Sequence, residues 1–194
     1  MAAAGLVSVV KKSDQAGRPS GKKFYVVLFK WDDVKTFTRD EKGVKVQAME
    51  MVSAKTPFAV YATSSTINIY ATSEGEEDAR GYIHNVEFEH PGTEVEYDET
   101  MNQIINANLG AIVIGCDGTD AKLAGTPCTP LHVVQDNSQD NKEGNKNSVK
   151  LASEYRGGPL ARIPLEMIPK TDNEEVNTFL GLSAAAAASD LGGV

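Results

Sequence analysis

Gly81-Tyr82-Ile83-His84-Asn85-Val86-Glu87-Phe88-Glu89-His90 alternates its side chains with a period of two. A β-strand sends successive side chains to opposite faces. Tyr82, His84, Val86, Phe88 and His90 therefore share one face, and Ile83, Asn85, Glu87 and Glu89 share the other. Pro91-Gly92 ends the run, the proline by removing a donor and the glycine by permitting a turn. The pattern predicts a strand with Tyr82, Val86 and Phe88 in a core and a wet, acidic opposite face.

The same reading extends outward in both directions. Leu6–Val10, Phe24–Phe29, Val44–Met49, Phe58–Tyr61 and Ile67–Tyr70 are short β-branched, aromatic or alternating runs that predict strands. Ala111-Ile112-Val113-Ile114-Gly115-Cys116 predicts a strand buried on both faces, and Leu131–Val134 and Val149–Ala152 predict two more. Turn residues punctuate Ser13–Gly21, Asp117–Asp120, Gly125–Pro130 and Gly157–Pro159, while Pro164 and Pro169 divide their part of the chain into extended pieces. Residues 31–43 are polar and read as a loop or hairpin arm. Residues 135–148 contain Asn137, Asn141, Asn145 and Asn147 with almost no apolar side chain, and read as a long loop.

Two helices are expected. Asp98 can cap one whose face carries Met101, Ile104 and Ile105, with Asn108 and Gly110 closing it. Asp172 and Glu175 suit a capping box for the second, with Val176, Phe179 and Leu180 on one face, an alanine run at Ala184–Ala188 and a stop at Gly192-Gly193. The expected fold is mostly β: an antiparallel β-sandwich or barrel over residues 1–170 with one flanking α-helix, long inter-strand loops and a C-terminal helical tail over 171–194.

Composition narrows the function. A chain of 194 residues, 41% apolar and 24% charged, has the size and balance of one globular core. Its net charge of −8 argues against tight nucleic-acid binding, which needs a basic patch. The only basic pairs are Lys11-Lys12 and Lys22-Lys23. No apolar run is long enough to span a membrane, and the start of the sequence does not resemble a secretion signal, so a cytosolic setting is expected. Cys116 and Cys128 are read as free structural thiols.

Catalytic and ligand motifs are missing from the sequence: no phosphate loop, no dinucleotide fingerprint, no nucleophile elbow. His84, His90, Cys116 and Cys128 do not have the spacing of a zinc site. The acidic stretch Glu74-Gly75-Glu76-Glu77-Asp78 lacks the alternating ligand order of a calcium loop and reads as a solvated charged loop. Glu87 and Glu89 read as surface carboxylates. Trp31, beside Asp32 and Asp33, reads either as an interface aromatic or as part of a satellite core.

From Phe58 to Pro169 the order of elements is distinctive. A strand pair leads to the acidic glycine-containing loop Glu74–Asp78, a strand ending in His90-Pro91-Gly92, a short helix, the Ile112–Cys116 strand and then Leu123-Ala124-Gly125-Thr126-Pro127-Cys128-Thr129-Pro130-Leu131. This resembles tail-tube and tail-ring subunits of tailed bacteriophages, particularly those of Bacteroides-type hosts. The arm at 31–43 and the alanine-rich tail fall outside the resemblance. The likeness implies a virion structural protein, assembled in the host bacterial cytoplasm, that forms hexameric rings through which DNA passes without tight binding. It implies partners in copies of itself and in neighbouring virion proteins, with no catalysis, cofactor, metal or membrane. Asn85, Glu87 and Glu89 would then face the lumen. Trp31, Asn137, Asn141, Asn145, Phe179 and Leu180 would make subunit contacts. A head-decoration or head–tail joining protein is the alternative of the same class. A carbohydrate- or surface-binding module, with Trp31 and nearby tyrosines as its platform, is the alternative of another class.

Overall fold

The computed structural model describes residues 6–14, 17–116, 120–142 and 144–182, and they are mostly β. In chain order the strands are β1 (Lys22–Lys30), β2 (Val34–Arg39), β3 (Val46–Met51), β4 (Phe58–Tyr61), β5 (Asn68–Glu74), β6 (Gly81–Pro91), β7 (Leu109–Gly115), β8 (Asp120–Ala124), β9 (Leu131–Asn141), β10 (Gly144–Ser153) and β11 (Ala161–Pro164). Helix α1 (Val95–Ile104) lies between β6 and β7, and α2 (Glu174–Leu180) comes after β11. Among the described residues, nine strands join one sheet in the path β11-β8-β7-β9-β10-β6-β5, with β1 joining β7 to β4. β2 and β3 pair separately as a hairpin. The named pairings are antiparallel throughout.

β1 and β7 are the centre of this arrangement because both are apolar on both faces. Their register sets Val26 opposite Val113, Val27 opposite Ile112 and Leu28 opposite Ala111. Val26, Leu28, Ala111 and Val113 enter one core with Val60, Val86, Phe88, Met101 and Leu151. Val27, Phe29, Ile112 and Ile114 enter a second core with Trp31, Met49, Ile163, Val176 and Leu180. A strand buried on both faces loses its alternation and reads as a continuous apolar run, as β7 does. Packing between the two central strands is close enough that a Cβ added at Gly110 would clash with the edge of the Phe29 ring.

Several expectations are corrected. Leu6–Val10 forms no strand and stands exposed, with Leu6, Val7, Val9 and Val10 all open to solvent. Of the two forms expected for residues 31–43, loop or hairpin arm, the structure has the second: a 3₁₀ turn at Trp31–Asp33 leads into β2, which pairs with β3. Trp31 is 7% exposed, with Phe29 and Phe37 each 4.9 Å away edge-on, so it belongs to the second core rather than to an interface. Tyr82, expected in the core, is 40% exposed.

The described residues between 135 and 148 are not a loop. They form most of a hairpin between β9 and β10, from Gly144 opposite Asn141 to Lys150 opposite Gln135, where a bulge shifts the register. Backbone pairing needs no burial, and β10 is anchored by Val149 and Leu151, which face the core where β10 runs beside β6. The paired ladder carries the polar segment along.

The helices are shifted rather than lost. α1 has Glu94 as its N-cap, so Asp98 lies inside it; Tyr97, Met101 and Ile104 are buried, while Ile105 is outside the helix and exposed. Gly110 belongs to β7. In α2 the cap is Asn173, whose side chain accepts from the Glu175 and Val176 amides at 2.9 and 3.2 Å. Gly181, at φ +71°, ends α2, and the Leu182 amide donates back to the Asn177 carbonyl at 2.9 Å. The Ala184–Ala188 run, Gly192-Gly193 and the turn at 117–119 lie outside the described residues.

Candidate interaction surface

The strip expected to face a lumen lies on β6, but its residues differ from one another. Asn85 is 8% exposed, and its amide reaches only the Ile83 carbonyl at 3.4 Å, so it is a buried residue rather than a wall residue. Glu87 accepts from Tyr70 Oη at 2.9 Å and pairs with Lys150 at 3.0 Å. The bond from Lys150 holds the Glu87 carboxyl below its ordinary value. Glu89 pairs with Lys146 at 2.7 Å. The strip is therefore charge-matched across β6 and β10, not acidic, because the β10 partners Lys146 and Lys150 supply the opposite sign.

Of the asparagines proposed as contacts, Asn137, Asn141 and Asn145 are exposed on the β9–β10 hairpin. Asn145 Nδ2 donates to Thr93 Oγ1 at 3.0 Å. Neighbouring Asn147 is fully buried and donates to the Gly92 carbonyl at 2.7 Å, tying the hairpin to the turn after β6. Leu180 is fully buried in the second core, so it makes no surface contact; Phe179, the next residue back, is 45% exposed.

His84 is the one buried histidine. Its Nδ1 accepts from the Gly125 amide at 2.9 Å, its Nε2 lies 2.8 Å from the Gly158 carbonyl, and its own amide donates to Ser153 Oγ at 2.9 Å. A neutral ring protonated at Nε2 fills each of these roles, and burial lowers its proton affinity. His84 thus pins two glycine-containing turns to β6 and offers no free nitrogen to a ligand. Among the described residues no cluster of three or more His, Cys, Asp or Glu could hold a metal ion. Cys116 and Cys128 are exposed free thiols.

The strongest candidate surface lies where β1, β4 and α2 meet. Phe24, Tyr25, Tyr61 and Phe179 form a ring cluster: Phe24 stacks on Tyr61 at 6.2 Å and on Phe179 at 5.7 Å, and Tyr25 meets Tyr61 and Phe179 edge-on at 5.5 and 5.7 Å. Phe24, Tyr61 and Phe179 are 44%, 40% and 45% exposed. Lys23 Nζ holds the cluster together by donating to the Leu180 carbonyl at 2.8 Å and the Phe179 carbonyl at 3.3 Å, a cation at the carboxyl end of α2.

A groove of about 350 Å³ continues from Tyr61 between β4 and α1, lined by Phe58, Ala59, Tyr97 and Thr100 with Glu94, Glu96 and Asp172 at its polar side. His90 stacks on Tyr97 at 4.6 Å. Its Nδ1 is 2.8 Å from the Tyr61 carbonyl and its Nε2 is 3.1 Å from Glu94 Oε2. Glu94 is held below the ordinary carboxylate range by its own backbone amide and then by His90. Tyr97 Oη donates to Asp136 at 3.0 Å, and burial together with that carboxylate pushes its phenol far above the ordinary value.

Sequence reasoning placed Phe24, Tyr25 and Tyr61 on strands without seeing the cluster. The available signal was two aromatic strand ends, but their meeting depends on the β1–β4 register of Tyr25 opposite Tyr61. With Trp31 buried, a ligand platform built on it is not present. No family model, curated protein or solved structure matches the chain.

Proposed function

We propose that this chain is a self-assembling structural subunit, a β-sandwich that makes rings of a phage tail tube or tail through its own exposed surfaces. The observation that carries the reading is the exposed ring cluster of Phe24, Tyr61 and Phe179 beside an open groove. Contiguous exposed aromatic surface marks a contact site, and aromatic residues are enriched where proteins meet. Two unlike surfaces on one chain suit a heterologous contact, which closes into a ring when the rotation between neighbours allows. The tail placement rests on the resemblance in element order. On this reading the charge-matched strip of Glu87, Glu89, Lys146 and Lys150 is the channel wall, since paired charges leave few cations free for phosphates.

Light scattering and negative-stain imaging of the purified chain test this. Rings or tubes whose mass is a multiple of 20.8 kDa are expected, and Phe24→Asp/Phe179→Asp reduces them to single subunits that keep their fold. A wild-type chain that stays monomeric at all concentrations overturns the proposal.

A further inference from the structure

We propose that the groove between β4 and α1 receives the segment Leu6–Lys12 of a second copy of this chain, added as a strand along the open edge of β4. The inference rests on the self-assembly reading and names the partner of that same surface.

The acceptor is an unpaired strand edge. Among the described residues β4 pairs only with β1. The Ala62 amide donates to the Phe24 carbonyl at 2.7 Å, so alternate residues of β4 turn their backbone groups toward β1. Ala59 and Tyr61 then point theirs the other way, into the groove. The bond from His90 Nδ1 to the Tyr61 carbonyl, on the side away from β1, agrees with this. The Ala59 amide and carbonyl and the Tyr61 amide are left to pair with an incoming strand.

The donor is a strand-forming run with no strand of its own. Leu6 is 105% exposed and Val9 96%, in a stretch where four of five side chains from Leu6 to Val10 are large and apolar. Such a run is apolar on both faces and calls for cover on both. β4 offers that cover, since Val60 belongs to one core with Phe58 packed against it, and Ala59 packs against the other. The five residues span about 17 Å extended, enough to run the length of four-residue β4. Charge agrees as well: Lys11 and Lys12 come directly after the apolar run, and Glu94, Glu96 and Asp172 line the groove. Lys11 is otherwise held only by exposed Asp14 at 3.1 Å, a contact of little worth. Donor and acceptor are both open on the same chain, which is the arrangement of a head-to-tail contact between copies.

The test uses the full chain in analytical ultracentrifugation. Val7→Asp/Val9→Asp removes the donor and leaves the groove, and an increase of about 100-fold in the dissociation constant is expected. Ala59→Pro removes the acceptor amide without touching the β1 ladder and leaves the donor. At a concentration where each variant alone is monomeric, an equal mixture forms one-to-one pairs. Lys12→Glu weakens association about tenfold, and adding Glu96→Lys to the same chain restores it; this pair decides the matter should Ala59→Pro fail to fold. Association of Val7→Asp/Val9→Asp as tight as wild type overturns the inference while leaving self-assembly through the ring cluster standing. A mixture that stays monomeric overturns it as well. A wild-type monomer overturns both readings.

Discussion

β7 and the outer half of β9 are both strands in the same sheet, and they have almost nothing else in common. From Leu109 to Ile114 every residue of β7 is buried, whereas from Val134 to Asn141 every residue of β9 is exposed. The comparison separates two things that a sequence reading tends to merge. Backbone pairing makes a strand, and apolar content decides how deep that strand lies. β7 is fixed by what surrounds it on both faces. The outer half of β9 is fixed by the ladder to β10, which is in turn held by Val149 and Leu151.

The two strands should differ most in their response to loss of side-chain volume. Ile112→Ala, fully buried in the second core, is expected to cost about 2–5 kcal/mol in denaturant unfolding, because a cavity remains where the side chain was. If it cost no more than a surface change, β7 would not be the centre of the fold. Adding volume is the next largest effect. Gly110→Ala drives a methyl into the Phe29 ring, for an expected loss of about 1–3 kcal/mol, and Phe29→Leu in the same chain should recover part of it.

A buried polar residue sharpens the contrast between the two kinds of strand. In the folded chain the His84 ring takes up a proton less readily than in the unfolded chain. The unfolded state therefore binds more protons below the ordinary histidine value, so this contribution is complete above that value and falls as pH drops through it, until the folded ring protonates as well. Melting temperature should decline between about pH 7 and pH 5, and His84→Gln should flatten that decline. The smallest effect is expected on the exposed strand: Asn137→Ala should change stability by less than about 0.5 kcal/mol, with unchanged far-ultraviolet circular dichroism.

The same contrast explains why some elements were legible in the sequence and others were not. β1, β6 and β7 were readable because alternation or a continuous apolar run reports burial directly. β9 and β10 were not, since a segment without apolar residues carries no periodic signal and takes its structure from a partner distant in sequence. Leu6–Val10 failed in the opposite sense: its side chains promise a strand, but no neighbour among the described residues pairs with it. The site was less legible than the fold. Val176, Phe179 and Leu180 are expected on one apolar face, yet Phe179 is exposed while Leu180 is core; Trp31 is core too, and Asn85 is buried on a face that alternation assigns to solvent. Tyr61, His90 and Glu94 meet only because β4, β6 and the start of α1 converge.

The bulge between Lys150 and Leu151 leaves Val134 as an extra residue on β9, opposite no partner of its own. Beyond Val149, toward the turn, the hairpin carries no apolar side chain that must stay in phase with the interior. Two residues added to each arm near the turn would lengthen it by about 7 Å and keep the parity of its side chains. Loop-closure entropy rises only slowly with length, so the added cost is small. The hairpin is thus an extensible finger whose reach can be changed by insertion or deletion, independently of the body that carries it.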